Sequence, residues 1–494
     1  MPLRLPAGRE QTWLLPPTLD ELVPADHPAR FVGACVDALD RAAWIELGVG
    51  PDGDALGAPA YHPRVLLSVW LYGFMTGVRS SRKLEGACRD QLPYLWLTGW
   101  QHPDHNTLWR FYQAHRQGLR KLLKRTVGTA VRVGLVDLAV QAVDGTKVAA
   151  NAAKERTYDA PGLQRLLERA DAAIADLEAQ NTTGGDPPPP RLPEELAEAK
   201  ALQEQVQGAM EQLSAEEGRQ EINLTDADAR LMKGRQGFVA GYNAQAMVSP
   251  LVPKAAGATG LFITATAVSN CPADQAQLLP MIEQAQENAG QAAALTLADG
   301  GYHSGPNLVA CAEREHTVVM PESHQRAKEE PEPYHKDAFR YQEETDTYTC
   351  PQGQTLRFTG EKHAKGRPVS RVYRASRKAC LACPAFRVCT KDRRHGCILQ
   401  IGPQEKALQA HRAWMATKEA KARYRQRKLL PEPTFGILKE QQGARRFLLR
   451  GIASVRAEWA LLATAFNLRT LYRLWRHWAA GRPGRGMLTG ALVG

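Results

Sequence analysis

With 494 residues, 44% of them apolar and 23% charged, the chain has the make-up of a folded globular protein of two to four domains, which excludes wholesale disorder. Its 63 Lys and Arg outnumber 52 Asp and Glu, and the resulting charge of +11 favours a polyanionic partner over an acidic protein or a neutral small substrate. No run approaches the ~20 uninterrupted apolar residues of a membrane span, the opening MPLRLPAGREQ lacks a signal-type apolar core, and nine cysteines is an odd number for a disulfide framework, so a cytoplasmic protein with reduced or metal-bound thiols and no membrane partner is expected.

Residues 1–60 are rich in Pro, Gly and Asp, with one short helical run at 30–39. From His62, the apolar Val65, Leu66, Val69, Trp70, Gly73 and Phe74 recur at helical spacing. Ser80 and Ser81 suit the cap of a second helix, and Asp104 or Asn106 the cap of a third that carries Leu108, Trp109, Phe111 and Tyr112. Residues 1–134 therefore read as an all-α, helix-turn-helix-like domain whose aromatics are core, with Arg82, Lys83 and Arg110 among the cations for DNA.

At Leu135 the period becomes strand-like, and LAVQAV runs into Asp144-Gly145-Thr146-Lys147, a strand expected to deliver a carboxylate at its end. Residues 135–159 open an α/β domain that a helical hairpin over 160–220 interrupts; NTTGGDPPPP breaks that hairpin, which reads as a spacer or self-association arm. The domain resumes over 221–324. There GFVAGYNAQAMVS and LFITATAVS predict a strand hairpin, a helix is expected over 272–287, AAALTLADGG is a buried strand ending at Asp299, a helix follows over 304–315, and TVVMPE is a further strand. Asp144 and Asp299 are thus expected at carboxyl ends of strands, where open α/β sheets place their ligands.

Residues 325–415 form a polar insertion in which TYTCPQGQ and CLACPAFRVC supply Cys350, Cys380, Cys383 and Cys389, a thiolate set suited to structural zinc in a region with little apolar core; the alternative is four unligated thiols. Cys397 or His395 can replace one ligand, while Cys35, Cys88, Cys271 and Cys311 read as core thiols. Residues 416–480 complete the α/β domain, and 481–494 read as a flexible tail. Within 429–450, a helix opens at Pro431-Glu432-Pro433, where the prolines forfeit no backbone donor. It buries Phe435, Leu438 and Phe447 and points Lys439, Arg445, Arg446 and Arg450 outward; residues 457–478 then form a helix that packs on the sheet.

Three acids from distant parts of the chain, Asp144, Asp299 and Glu432, can converge on two Mg²⁺ or Mn²⁺ ions. Such ions about 3.5–4 Å apart support an in-line phosphoryl displacement by water or a 3′-hydroxyl.

The segments VDGTKVAANA, DARLMKGRQGFVAGYNAQAMV, LADGGYHS, the cysteine segment and EPTFGILK followed by ARRFLLRG resemble the DDE transposases of bacterial insertion sequences, in the insertion sequence 4 superfamily and closest in layout to the insertion sequence 1182 group. The resemblance covers nearly the whole chain. It implies an RNase H-like catalytic domain in which Asp144, Asp299 and Glu432 are the metal-binding triad, preceded by end-recognition helices. It also implies nicking at the element's terminal inverted repeats, joining of the 3′-hydroxyl to target DNA, and a homodimer acting on double-stranded DNA at the nucleoid. The superfamily's Tyr, Arg, Glu, Lys signature maps onto Tyr424, Arg427, Glu432 and Lys439, but Tyr424 and Arg427 sit one residue too far from Glu432, so Arg427 and Lys428 compete for the arginine role. Lys147, Lys439, Arg445 and Arg446 complete the expected DNA contacts. A catalytically silent DNA-binding protein on the same scaffold, or a nuclease without strand transfer, is the alternative.

Overall fold

The structure, a computed structural model, describes residues 18–50, 60–182, 192–234, 237–253, 259–322, 333–364, 367–390, 392 and 394–481. The expected tail therefore lies outside the described residues apart from residue 481.

Among the described residues, eight helices precede the first strand: α1 (Leu19–Leu22), α2 (Pro28–Asp37), α3 (Arg41–Glu46), α4 (Pro63–Thr76), α5 (Ser81–Asp90), α6 (Leu92–Thr98), α7 (His105–Leu119) and α8 (Lys121–Arg132). Their starts follow the capping signals in part. Asp104 accepts from the Thr107 amide and Asp40 from that of Ala43, whereas Ser80 precedes α5 without a side-chain cap bond. Among the aromatics, Trp70 and Tyr112 are buried, whereas Trp109 is exposed at its edge.

Strand β1 (Gln141–Ala149) is followed by β2 (Thr157–Asp159), the long helices α9 (Ala160–Thr182) and α10 (Leu192–Ala215), then β3 (Glu221–Asn223), which pairs with β2. The two helices pack through Leu163, Val206 and Ala209, and Asp171–Gln203 and Glu178–Lys200 pair in opposite chain sense, as in a hairpin. Strands β4 (Arg230–Gly234), β5 (Gly237–Pro250) and β6 (Leu261–Ser269) come next, then α11 (Leu278–Ala289), β7 (Leu295–Leu297), α12 (Gly305–Glu313) and β8 (Thr317–Val319).

These strands form a six-stranded sheet in the order β4-β5-β1-β7-β8, with β6 continuing along the β5 edge beyond β4. β1 runs antiparallel to β5 and parallel to β7, and β7 runs parallel to β8. The β5–β6 hairpin matches the sequence pattern. The helix expected from residue 272 starts only at Leu278, because residues 271–274 turn toward the sheet, where the Pro272 carbonyl accepts from Lys147 and the Asp274 carboxylate from Asn243.

The polar insertion is a second sheet and not a loose loop. Strands β9 (Arg340–Gln342), β10 (Thr347–Thr349), β11 (Thr355–Ala364), β12 (Arg367–Ala375) and β13 (Ile398–Ile401) pair in the order β13-β12-β11-β10-β9, with the short α13 (Arg377–Leu381) between the last two strands in sequence. Its turn is pinned by Asp346, which accepts from the Tyr341 and Tyr373 hydroxyls and pairs with Arg371 at 2.6 Å. The half-polar alternation of these strands hid them from hydrophobic patterning.

The chain returns through α14 (Glu405–Met415), α15 (Lys418–Arg425), a 3-10 turn (Arg427–Leu429), α16 (Pro431–Glu440) and the closing α17 (Ile452–Gly481). α16 ends at Glu440, so Arg445, Arg446 and Arg450 lie on the loop beyond it and do not extend its basic face. Gly443 turns the chain there at φ +69°, a conformation that favours glycine.

α17 is fastened to the sheet by polar side chains that satisfy strand backbone: Trp459 donates to the Gln245 carbonyl at 2.8 Å, and Asn467 both accepts from and donates to Ile263 at 2.8 Å. One apolar core joins α17, the sheet and the N-terminal helices, with Phe31, Leu67, Val127, Phe262, Phe447 and Leu462 all essentially buried. At ~1.5–3 kcal/mol for each fully buried large side chain, this shared core binds the helices to the sheet. At its heart Arg79, from the α4–α5 turn, pairs with Glu458 of α17 at 2.7 Å, while Glu458 accepts from the Leu448 and Leu449 amides.

Candidate active site

Asp144 stands in the middle of β1 and not at its end, which corrects the sequence expectation. It is nevertheless reachable, because the edge of β1 facing β7 is only partly occupied. β7 pairs with Gln141 and Ala142 alone, and the next residue on that edge to find a partner is Ala149, bridged to Arg446. A notch is left between, and Asp144 stands in it. Asp299 lies two residues past the last residue of β7, at the carboxyl end as expected, and its Oδ1 accepts from the Gly301 amide at 2.8 Å.

The two aspartates share an electrostatic neighbourhood. Burial, reinforced by the charges of Asp299 and Asp274, pushes the Asp144 carboxyl up to about 6 against the pull of Arg427. Arg427 donates from Nη1 to Asp144 Oδ2 at 3.1 Å, in a pair whose side chains are 12% and 16% exposed. Burial alone would lower the Arg427 guanidinium, yet Asp144, Tyr424 and Asp299 hold it above its usual range. Arg427, with Tyr424 as its neighbour, is the cation that reaches Asp144, while Lys428 is exposed. Arg427 opens a 3-10 turn of residues 427–429 that leads into the helix of Glu432.

Glu432 sits in the first turn of α16 and is exposed. Contacts on either side of it hold its helix against β1: Arg427 on Asp144, and Lys439, whose Nζ lies 2.5 Å from the Thr146 hydroxyl and 3.4 Å from the Lys147 carbonyl. Among the described residues no contact ties Glu432 itself to either aspartate, and no three His, Cys, Asp or Glu side chains are placed to hold a metal ion. The donor chemistry still suits a hard divalent cation. Carboxylates crowd a half-buried notch, Asp144 resists ionisation there, and the buried Asn243 Oδ1 nearby has no hydrogen-bond partner.

Sequence patterning missed the support beneath this notch. Asp274 Oδ1 accepts from Asn243 Nδ2 at 2.6 Å and from Gln245 Nε2 at 2.7 Å, and Gln245 Oε1 in turn accepts from the Tyr302 hydroxyl. Asn243, Gln245 and Tyr302 are fully buried. The available signal was the pair of amides inside the otherwise apolar strand YNAQAM, since buried polar side chains need partners. Lys147, half-buried and 2.8 Å from the Pro272 carbonyl, is lowered by burial despite the acids around it.

The remaining predicted DNA contacts are scattered. Arg82 and Lys83 on α5 and Arg110 on α7 are exposed, and Arg445 pairs with Glu440 at 2.5 Å. In the second sheet, Cys380 and Cys397 are buried, with Cys350, Cys383 and Cys389 partly so. The sulfur of Cys350 accepts from the Gln354 amide at 3.3 Å and that of Cys380 from the Cys397 amide at 3.5 Å. Burial pushes the Cys397 thiol up to about 12, and burial with the neighbouring Cys380, Cys383 and Cys350 raises Cys389. His395 instead pairs with Asp392 at 3.0 Å. Cys271 is exposed, not a core thiol.

No curated protein and no solved structure matches the chain. A family model described as a transposase DDE domain matches residues 349–472, which include Glu432, Arg427, Lys439 and the clustered cysteines. A second, described as a transposase domain (DUF772), matches residues 17–114 in the N-terminal helices. Two transposase families met in one chain support a DDE transposase of insertion sequences, an enzyme acting on DNA.

Proposed function

We propose that the protein nicks DNA at the ends of its own element by hydrolysis and joins the freed 3′-hydroxyl to target DNA, as an RNase H-like transposase of the insertion sequence 4 superfamily, insertion sequence 1182 group. The observation that carries the reading is the bracketing of Glu432: its helix is tied to β1 on one side by Arg427 at Asp144 and on the other by Lys439 at Thr146. This sets the acid's helix along the strand that bears Asp144, with Asp299 on the neighbouring strand's exit.

Asp144, Asp299 and Glu432 would hold two Mg²⁺ or Mn²⁺ ions. When bound, the ions supply Lewis-acid stabilisation of the attacking and leaving oxygens in an in-line displacement. Arg427 and Lys439 hold the scissile phosphate beside the carboxylates, and Lys147 lines the same notch. The exposed Arg82, Lys83 and Arg110, with Arg445, Arg446 and Lys428, grip the flanking duplex backbone, and two copies of the chain join the two element ends at the nucleoid. Cys350, Cys380, Cys383 and Cys389 would hold a structural zinc ion that staples the second sheet; amide-to-sulfur bonds at Cys350 and Cys380 support this, since they stabilise thiolates.

The test is divalent-cation-dependent nicking and joining of a plasmid carrying the inverted repeats found beside the gene. The native chain should give nicked and joined products, and Asp299→Ala neither. Cleavage that survives Asp299→Ala overturns the site, and cleavage without joined products leaves a nuclease.

A further inference from the structure

We propose that the outer face of the five-stranded sheet is a docking surface for the phosphate backbone of duplex DNA, with Arg357 and Arg374 at its centre. The inference rests on the reading of the chain as an enzyme that acts on DNA, and adds a surface apart from the notch and the N-terminal helices. Side chains alternate between the two faces of a strand, so the pairing register assigns each residue to a side. The inner face buries Leu356, Tyr373, Ala375 and Leu399. On the outer face Arg357 stands directly opposite Arg374, with Thr347 beside it on the next strand. Arg340 pairs with Thr349, two residues along β10 from Thr347. The register shift between Phe358 and Gly360 then brings Lys362 opposite Ser370, four residues along β12 from Arg374. Both cations therefore share the face of the central pair.

Charge complementarity names the partner. Arg340, Arg357, Lys362 and Arg374 are exposed and, among the described residues, none has an acidic partner, whereas Arg371 on the other face is held by Asp346 at 2.6 Å. Among the described residues of the five strands, no Asp or Glu stands on the outer face. Like charges directly opposite one another on neighbouring strands repel, and the Arg357–Arg374 pair keeps that repulsion until an anion lies across it. Exposed Gln342 and Thr355 stand among the cations, and amide and hydroxyl side chains also donate to phosphate oxygens. The face presents no large exposed apolar side chain among the described residues, so it lacks the anchor that a protein partner would need. Four residues of strand separate Arg374 from the row of Lys362, about 13 Å, over which a duplex presents one charge per ~1.7 Å of its axis.

The experiment titrates the full-length protein into two fluorescently labelled duplexes, one carrying the element ends and one of unrelated sequence, and follows anisotropy between about 50 and 200 mM salt. Arg357→Ala combined with Arg374→Ala should weaken binding to both duplexes alike, roughly tenfold, and should reduce the slope of log affinity against log salt by nearly two, since each phosphate contact contributes about 0.9. An unchanged slope overturns the inference and leaves the DNA-acting reading standing, whereas a native chain that binds neither duplex overturns both. Arg165→Ala combined with Arg169→Ala removes the same charge from exposed positions on α9 and should leave the slope as it is. A loss equal to that of the sheet variant would assign the effect to net charge and overturn the inference. If the sheet variant fails to fold, arginine-selective labelling of the native chain with phenylglyoxal decides the matter. Protection of Arg357 and Arg374 by duplex supports the docking face, and equal labelling with and without duplex overturns it.

Discussion

In the six-stranded sheet Asp144 stands on a strand and Asp299 just past the end of another, with helices packed on the sheet. On the opposite face of β1 from Asp144, the fully buried Asn243, Gln245 and Tyr302 have polar atoms largely paired with one another or with Asp274. In the five-stranded sheet the thiols stand on a much thinner support. Its buried set is Phe339, Leu356, Tyr373, Ala375 and Leu399 with Cys380 and Cys397 themselves, and much of β11 is exposed. Both sheets gather oxygen or sulfur groups, but the first packs them on a large shared core, whereas the second has little besides its thiols to bury. A cation should therefore tune reactivity in the first sheet and stability in the second.

The largest effect should separate chemistry from folding. Asp299→Ala is expected to lower DNA nicking by about 10³-fold or more with the unfolding midpoint in urea nearly unchanged, measured on a plasmid carrying the element ends. A large drop in stability would erase the contrast. Next, Arg79→Ala leaves the Glu458 carboxylate buried without its partner, and urea unfolding should show a loss of about 3 kcal/mol that the second sheet does not share. If instead amide exchange rises first in residues 340–401, the cover over the six-stranded sheet matters less than its packing suggests.

Treatment with a strong chelator tests the other half of the comparison, the proposed zinc at the second sheet. It should raise amide exchange in β10 to β13 on the order of 100-fold and leave β5 and β6 protected. Uniform exchange with and without chelator would remove the metal staple. A smaller effect concerns pH. The folded-state value of Asp144, about 6, lies above its ordinary range, so below that pH the carboxyl takes up a proton that a divalent cation must displace. Mn²⁺ affinity should fall about tenfold per pH unit below 6 and level off above it, as titration calorimetry can follow. The smallest effect is expected at Lys428, which is exposed: Lys428→Ala should change nicking by less than about twofold, whereas Arg427→Ala, which frees Asp144 from its buried partner, should reduce it tenfold or more.

Much of this was legible in local patterns. The strand hairpin of β5 and β6, the proline-led start of α16, and the helical pair α9 and α10 all follow from periodicity, turn chemistry and residue type. These are local properties, carried by neighbours within a few residues. Strand ends were less legible: β1 runs on past Asp144 because β5 pairs with it through Ala149, a contact made by residues about a hundred positions away. The second sheet was hidden because its strands are polar on their exposed face and draw their order from Asp346 and from each other.

What the sequence by itself determined was which acids, thiols and cations the protein has and which elements carry them. Only the tertiary structure decided which of them meet. It turned Arg427, and not Lys428, toward Asp144 at a 3-10 turn, opened the notch at Asp144 by keeping β7 short, and brought Asp274 against Asn243 by holding residues 271–274 out of the following helix. Each of these depends on an angle or a length summed over distant segments, and side-chain chemistry read along a chain contains no such sum.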